Sequence, residues 1–121
     1  MDQVQNLLWS QLPSEEVRPG IFLQRVDSER MTVIRYTYSP GSVFPAHSHP
    51  EEQVTMVLSG TIEFEVGDRR VLAEPGSVLV IPPGVVHGAR VVGETVVDTL
   101  NVLSPRRIEE IVLAEPANSS G

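Results

Sequence analysis

The sequence predicts an all-β chain closed into a small barrel or a two-sheet jelly roll, and three observations carry this. Nine glycines and ten prolines fall at intervals between short apolar runs, not in one linker, which is the spacing of many strands joined by turns. Those runs are rich in β-branched and aromatic residues. In one of them, Thr61 to Val66, apolar Ile62, Phe64 and Val66 alternate with Thr61, Glu63 and Glu65, the period of a strand with one buried face. In chain order, Met31 to Tyr38 reads as a strand ended by Ser39-Pro40-Gly41, and Val54 to Leu58 as one ended by Ser59-Gly60. Thr61 to Val66 turns back at Gly67-Asp68. Val71-Leu72-Ala73 precedes Pro75-Gly76, and Val78 to Ile81 precedes Pro82-Pro83-Gly84. Ala89 to Val92 and Thr95 to Leu103 read as a last hairpin about Gly93. These give about seven to nine strands, and closing them removes exposed sheet edges.

A short helical turn is expected only near the C-terminal end. There Ser104 can cap, Pro105 suits the first helical position, and Ile108, Ile111 and Val112 recur at helical spacing. The first twenty residues, with Trp9, Pro13 and Pro19, show no clean period and read as an N-terminal arm; residues 115–121 read as a frayed tail. A single domain is expected over 1–121, with its core at about 21–104.

Composition narrows the function. The chain has 121 residues, nine Lys plus Arg (all of them Arg) against sixteen Asp plus Glu, and a formal charge of −7. Affinity for nucleic acid or anionic lipid rests on clustered cations. The arginines are scattered apart from Arg69-Arg70 and Arg106-Arg107, so neither partner is expected. With no cysteine and no lysine, thiolate nucleophiles, sulfur-ligated metals and side-chain Schiff bases are excluded. The start lacks a basic region followed by an apolar run, and no stretch reaches the ~18 apolar residues of a membrane span. A soluble cytoplasmic protein is the expectation.

The chain has three histidines, His47, His49 and His87. His47 and His49 are spaced i, i+2, so on an extended segment both rings project to one face. Gln53 lies four residues further on, where a bend at Pro50-Glu51-Glu52 can return its amide oxygen to that face. Sequence spacing alone does not bring His87 to the same place. The segment GSVFPAHSHPEEQVTMVLSG, Gly41 to Gly60, resembles the first motif of the cupin superfamily: Gly, five residues, His-x-His, three or four residues, an acid, six residues, Gly. Gln53 stands where that motif usually has Glu. GSVLVIPPGVVHGAR, Gly76 to Arg90, is similar to the second motif, Gly, five residues, Pro-x-Gly, two residues, His, three residues, Asn, with Val91 in place of the Asn. The resemblance implies a cupin barrel, a divalent metal ion (zinc, nickel, iron, manganese or copper) and a small-molecule substrate. It also implies a homodimer made by packing one sheet against its copy.

Among cupins, the strings His-Ser-His-Pro-x-Glu-Gln, Pro-Pro-x-Val-Val-His-Gly and Leu-Ser-Pro-x-Arg resemble the small pectin degradation proteins of the KdgF type. That resemblance implies His47, His49, Gln53 and His87 as the metal ligands, and the opening of unsaturated uronates to linear keto sugars without net redox change. Such neutral ligands leave the ion its full double charge and make it a stronger Lewis acid. The family's Asp, Phe and Arg at the site fall in this register at Asn101, Leu103 and Arg107. Only the Arg is kept: Asn101 is no general base near neutral pH, and Leu103 has no ring to stack on a sugar. Arg107 can clamp a substrate carboxylate as a bidentate donor. Arg35, with Thr37 on one face of its strand, is a further candidate for the cavity. Asp98, Glu51 and Glu52 read as solvated, and Tyr36 and Tyr38 as barrel packing. The function these residues imply is a metal-dependent isomerase or lyase acting on a small oxygenated substrate. The alternatives are a metal-dependent dioxygenase on a phenolic or diketone-like substrate, and a non-enzymatic ligand- or metal-binding module.

Overall fold

Ten strands, numbered in chain order, are paired antiparallel in the computed structural model, which describes residues 3–108. They are β1 (Glu15–Arg18), β2 (Ile21–Asp27), β3 (Thr32–Tyr38), β4 (Val43–His47), β5 (Glu52–Ser59), β6 (Thr61–Val66), β7 (Arg69–Ala73), β8 (Val78–Ile81), β9 (His87–Val92) and β10 (Val97–Ser104). One sheet runs β1-β2-β3-β10-β5-β8 and the other β4-β9-β6-β7, the two-layer jelly roll expected from the turn spacing. The alternation read in Thr61 to Val66 is real: Ile62 and Phe64 are buried between more accessible neighbours. Its turn back to β7 is made at Gly67, whose φ of 61° lies in the left-handed region that a side chain disfavours.

The inward rows of the two sheets meet in a core containing Ile21, Ile34, Val57, Ile62, Phe64 and Val97. Across the middle of the larger sheet, Thr55, Asn101 and Ile34 lie opposite one another on β5, β10 and β3. That polar pair in an inward row is the first sign of a site.

Three expectations are corrected. Ala89 to Val92 and Thr95 to Leu103 do not form a hairpin, because β9 lies between β4 and β6 while β10 lies between β3 and β5. The segment about Gly93 carries the chain from one layer to the other, and β10 thereby gains a hydrogen-bonded partner on both edges. The helical turn does not begin at Ser104. This residue closes β10 opposite Glu52, and 105–108 have no helical structure. Long-range bonds replace the helical ones: the Arg107 N–H donates to Thr32 Oγ1 at 3.0 Å, and the Arg107 carbonyl accepts from Arg25 Nη2 at 2.7 Å. Ile111, Val112 and the 115–121 tail lie outside the described residues. Finally, the arm is not wholly irregular. Glu15–Arg18 joins the larger sheet against β2, and a 3₁₀ turn at Trp9–Gln11 is held by Gln24 Nε2, which donates to Trp9 O at 2.6 Å and Leu12 O at 3.1 Å. No helix among the described residues is long and apolar enough to cross a membrane.

Candidate metal centre

His47 and His87 are register partners on β4 and β9, and His49 follows in the loop to β5. The loop is fixed by the Gly84 N–H, which donates to His49 O at 2.9 Å. The three rings converge, with centroids 4.4 Å apart for His47 and His87, 4.9 Å for His49 and His87, and 5.7 Å for His47 and His49. One nitrogen from each lies within 4.8 Å of the others.

The main chain sets the tautomer of every ring in the same way. His47 Nδ1–H donates to Pro45 O at 3.0 Å, His49 Nδ1–H to Glu51 O at 3.1 Å and His87 Nδ1–H to Val85 O at 2.9 Å. A carbonyl oxygen only accepts, so each Nδ1 carries a proton, and in the neutral form of each ring Nε2 keeps a bare lone pair. Burial holds the His47 ring well below its ordinary range, down to about 4, and lowers His87 in the same direction, with the neighbouring histidines adding to the effect. Both rings are therefore neutral at pH 7, as ligands must be.

Gln53, on β5, completes the cluster. Its Oε1 lies 3.0 Å from His49 Nε2, which places two acceptors face to face when that ring is neutral with its proton on Nδ1. The amide is held this way round by a chain of hydrogen bonds rooted in the sheet. Asn101 Nδ2 donates to Ile34 O at 3.2 Å and to Thr99 Oγ1 at 3.0 Å, which turns Asn101 Oδ1 toward β5. That oxygen accepts from Thr55 Oγ1 at 2.7 Å and Gln53 Nε2 at 3.3 Å, and Gln53 Nε2 also donates to Thr55 Oγ1 at 2.8 Å.

A divalent ion fits this donor set. Two facing lone pairs repel unless a cation lies against both, and about 3.0 Å is the separation of two ligands set at right angles about one ion, as in octahedral coordination, each ~2.1 Å from it. His87 Nε2 is buried and meets no hydrogen-bond partner, a costly state for a polar atom that a metal bond would relieve.

The cluster opens on a cavity of about 210 Å³ whose wall includes Arg18, Tyr36, Phe44, Asn101, Leu103 and Arg107. The volume is below the ~300 Å³ at which pockets for drug-sized ligands begin, so it suits a small molecule. Arg107 is well placed: Nη1 donates to Glu51 Oε1 at 3.3 Å, while Nε is buried without a partner. Asn101 lines the cavity too, but the sheet network engages both ends of its amide. Arg35 does not line it. Ile34, Tyr36 and Tyr38 take the inward positions of β3, and Arg35 points to the other face, where it bonds Asp98 at 2.9 and 2.6 Å and lies over the Trp9 ring. Asp98 is thus ion-paired. Glu51 is buried, not solvated, because His49 and Arg107 both approach its carboxylate. Composition and spacing gave no hint of Arg18. The alternation of Ile34, Tyr36 and Tyr38 did contain the signal for Tyr36.

A family model described as "Cupin domain" matches residues 34–103, more than half of the chain, and with this fold and histidine cluster the chain belongs to the cupin family. Among solved structures it is similar to KdgF from Halomonas sp., at 22% identity with a TM-score of 0.80, covering 88% of this chain and 97% of that one. It is similarly close to an RmlC-like cupin from Shewanella frigidimarina, at 23% identity and a TM-score of 0.78, over 89% and 97%. At these identities the likeness establishes the fold. A curated relative, germin-like protein subfamily 1 member 4 of Arabidopsis thaliana, is 29% identical over 96 residues. The match covers 65% of this chain, which spans under half (43%) of that relative's length.

Proposed function

We propose that the chain is an enzyme that holds one divalent transition metal ion on His47, His49, His87 and Gln53. It isomerises, opens, cyclises or eliminates across a small oxygenated anion, with a uronate-type sugar as the leading substrate class. The observation that carries this is the set of three Nδ1–H donors pinned to main-chain carbonyls, in a cluster where one nitrogen from each ring lies within 4.8 Å of the others and the Gln53 oxygen lies 3.0 Å from His49 Nε2. The bound ion would supply Lewis acidity, polarising a carbonyl or hydroxyl oxygen of the substrate.

The protein's own groups do the rest. Arg107, steadied by Glu51, offers its unpartnered Nε to a substrate carboxylate. Burial raises the Tyr36 hydroxyl to about 12 despite the opposing field of Arg107, Arg25 and Arg18, so at pH 7 it is a neutral hydrogen-bond donor facing the cavity. Asn101 takes no part as acid or base and acts as a positioning residue for Gln53. The aromatic surface that Leu103 lacks is supplied by Tyr36 and Phe44, whose rings meet edge to face at 5.5 Å. The resemblance of the strings around His47–Gln53, Pro82–Gly88 and Leu103–Arg107 to those of KdgF-type proteins supports a uronate.

The test is elemental analysis of unchelated protein, followed by a screen of unsaturated uronates, diketones and catechols with the ion found and with oxygen monitored. An isomerised product without oxygen uptake is expected. Uptake with iron or copper would replace this reading by a dioxygenase, tight binding without turnover would replace it by a binding module, and protein that takes up no metal would end it. We also propose a homodimer. Supporting it, the outer face of the larger sheet carries a row of Val80, Val54, Val102 and Val33, with Val78, Met56 and Leu100 beside it, and Val78 and Val80 are each 62% exposed. Light scattering that gives a monomer at micromolar concentration refutes it.

A further inference from the structure

The cavity wall contains two arginines and three histidines and, among the described residues, no carboxylate, although the protein as a whole carries a charge of −7. Arg107 is partly compensated by Glu51. Arg18 is not, since no carboxylate of a described residue pairs with it. Its guanidinium lies over the Phe44 ring, 5.9 Å from the centroid, and Phe44 in turn packs on His47 at 4.7 Å. Only one ring therefore separates this charge from the histidine cluster.

Arg18 reaches the cavity through a backbone irregularity. The β1–β2 register shifts between Glu16 and Arg18. Val17 is 1% exposed in the core while the next residue, Arg18, lines the cavity. Successive residues of a regular strand face opposite ways; a bulge lets both face inward, and bulges beside sites commonly re-aim a side chain in this manner. The two arginines also approach from opposite ends of β3. Arg107 is bound to Thr32 at one end, and Arg18 pairs with Ile21, which pairs with Tyr38 at the other. Tyr36 lies between these anchor points on β3, and both arginine side chains reach into the same small cavity.

We propose that Arg18 is a second anion contact, so that the cavity takes a small molecule with an anionic group at each end, one toward the histidine cluster and Arg107 and the other toward Arg18. This rests on the proposed site but not on its chemistry, so the test reads binding, not turnover. Calorimetry on the metal-loaded protein compares succinate with butyrate, its monoanionic counterpart of equal length. Succinate is expected to bind about tenfold tighter, the worth of one charge-assisted hydrogen bond. Arg18→Gln removes that preference and leaves butyrate affinity unchanged, and Arg18→Lys, which keeps the charge, restores most of it. Equal affinities in the parent protein, a preference that survives Arg18→Gln, or a Lys variant as weak as the Gln variant overturns the proposal. Metal content and melting temperature, read on each variant, are expected to match the parent. Failure of the uronate screen would leave this result standing, and failure here would leave a monoanionic substrate for the same metal site.

Discussion

Asn101→Leu tests whether the orientation of Gln53 is imposed by the sheet. The replacement is close to isosteric, so it opens little cavity in a position only 2% exposed. What it removes is the acceptor of Thr55 O–H and of one Gln53 N–H, together with the donor to Ile34 O and Thr99 Oγ1. A buried donor left without its partner costs roughly 1–3 kcal/mol. With two such donors, and some apolar gain from leucine, the expected loss is about 3 kcal/mol, or about 10 °C in melting temperature for a domain of this size. That is within the 5–15 kcal/mol of a typical domain, so the variant should fold. The Gln53 amide, however, is released, and loss of an outer-shell partner of a metal ligand lowers affinity about 10–100-fold. Urea denaturation reads the first quantity and competition with a chromogenic chelator the second. Gln53→Ala should lower metal affinity by a similar factor, and the double variant should be no weaker than either single one, because both remove the same ligand. A folded Asn101→Leu protein that holds metal within about twofold of the parent would refute the reasoning.

Other outcomes follow from the same geometry. In Gly88→Ala the new Cβ would lie 2.9 Å from Phe44 O and 3.1 Å from Ala46 N, forcing β4 away from β9. Since β4 carries His47, a stability loss of about 1–3 kcal/mol should come with weaker metal binding, whereas Gly93→Ala, at a φ of 92° beyond the end of β9 away from His87, should cost stability alone; chelator competition on both variants separates them. Removing His87 or His47 by alanine should empty the centre while far-ultraviolet circular dichroism stays that of the parent; full occupancy after loss of His87 would show that it is not a ligand. For the chelated protein, the pH dependence has a definite sign. The folded His47 titrates near 4 against an ordinary 6.5, and His87 is shifted the same way. The unfolded chain therefore binds more protons across this window, and stability is lost as pH falls from about 6.5 toward 4. Urea midpoints at pH 7.5, 6 and 5 should show this, and His47→Gln should flatten it; an unchanged slope in that variant removes His47 as the cause.

Much of this molecule was legible because the relevant signals are local. The period of Thr61 to Val66 fixed a half-buried strand, and His47 with His49 on extended chain already shared a face. What escaped was decided over longer distances. Alternation says that Arg35 and Tyr36 face opposite ways, but not which is inward; that depends on the opposing sheet, and Asp98 draws Arg35 outward. Glu51 reads as solvated until His49 and Arg107 are folded over it. Gly93 suits a hairpin as well as a crossing between layers, and only the open edges of β3 and β5 decide for β10. The cap signals at Ser104 and Pro105 were outweighed by bonds from Thr32 and Arg25, more than seventy positions away in sequence. Arg18 depends on a bulge, for which nothing in Glu15–Arg18 was diagnostic.

The anchoring of each imidazole to a carbonyl two positions away along the chain has a consequence for which ion such a centre would accept. A cage whose dimensions belong to the polypeptide cannot tighten around one occupant and relax around another, so an ion of the wrong size or preferred geometry would bind with strained ligands, while imidazole itself favours no one of the late first-row dications. Discrimination would then rest on the fixed spacing of the rings. Purified from cultures grown on different trace-element mixtures, the same molecule should come out carrying the same ion.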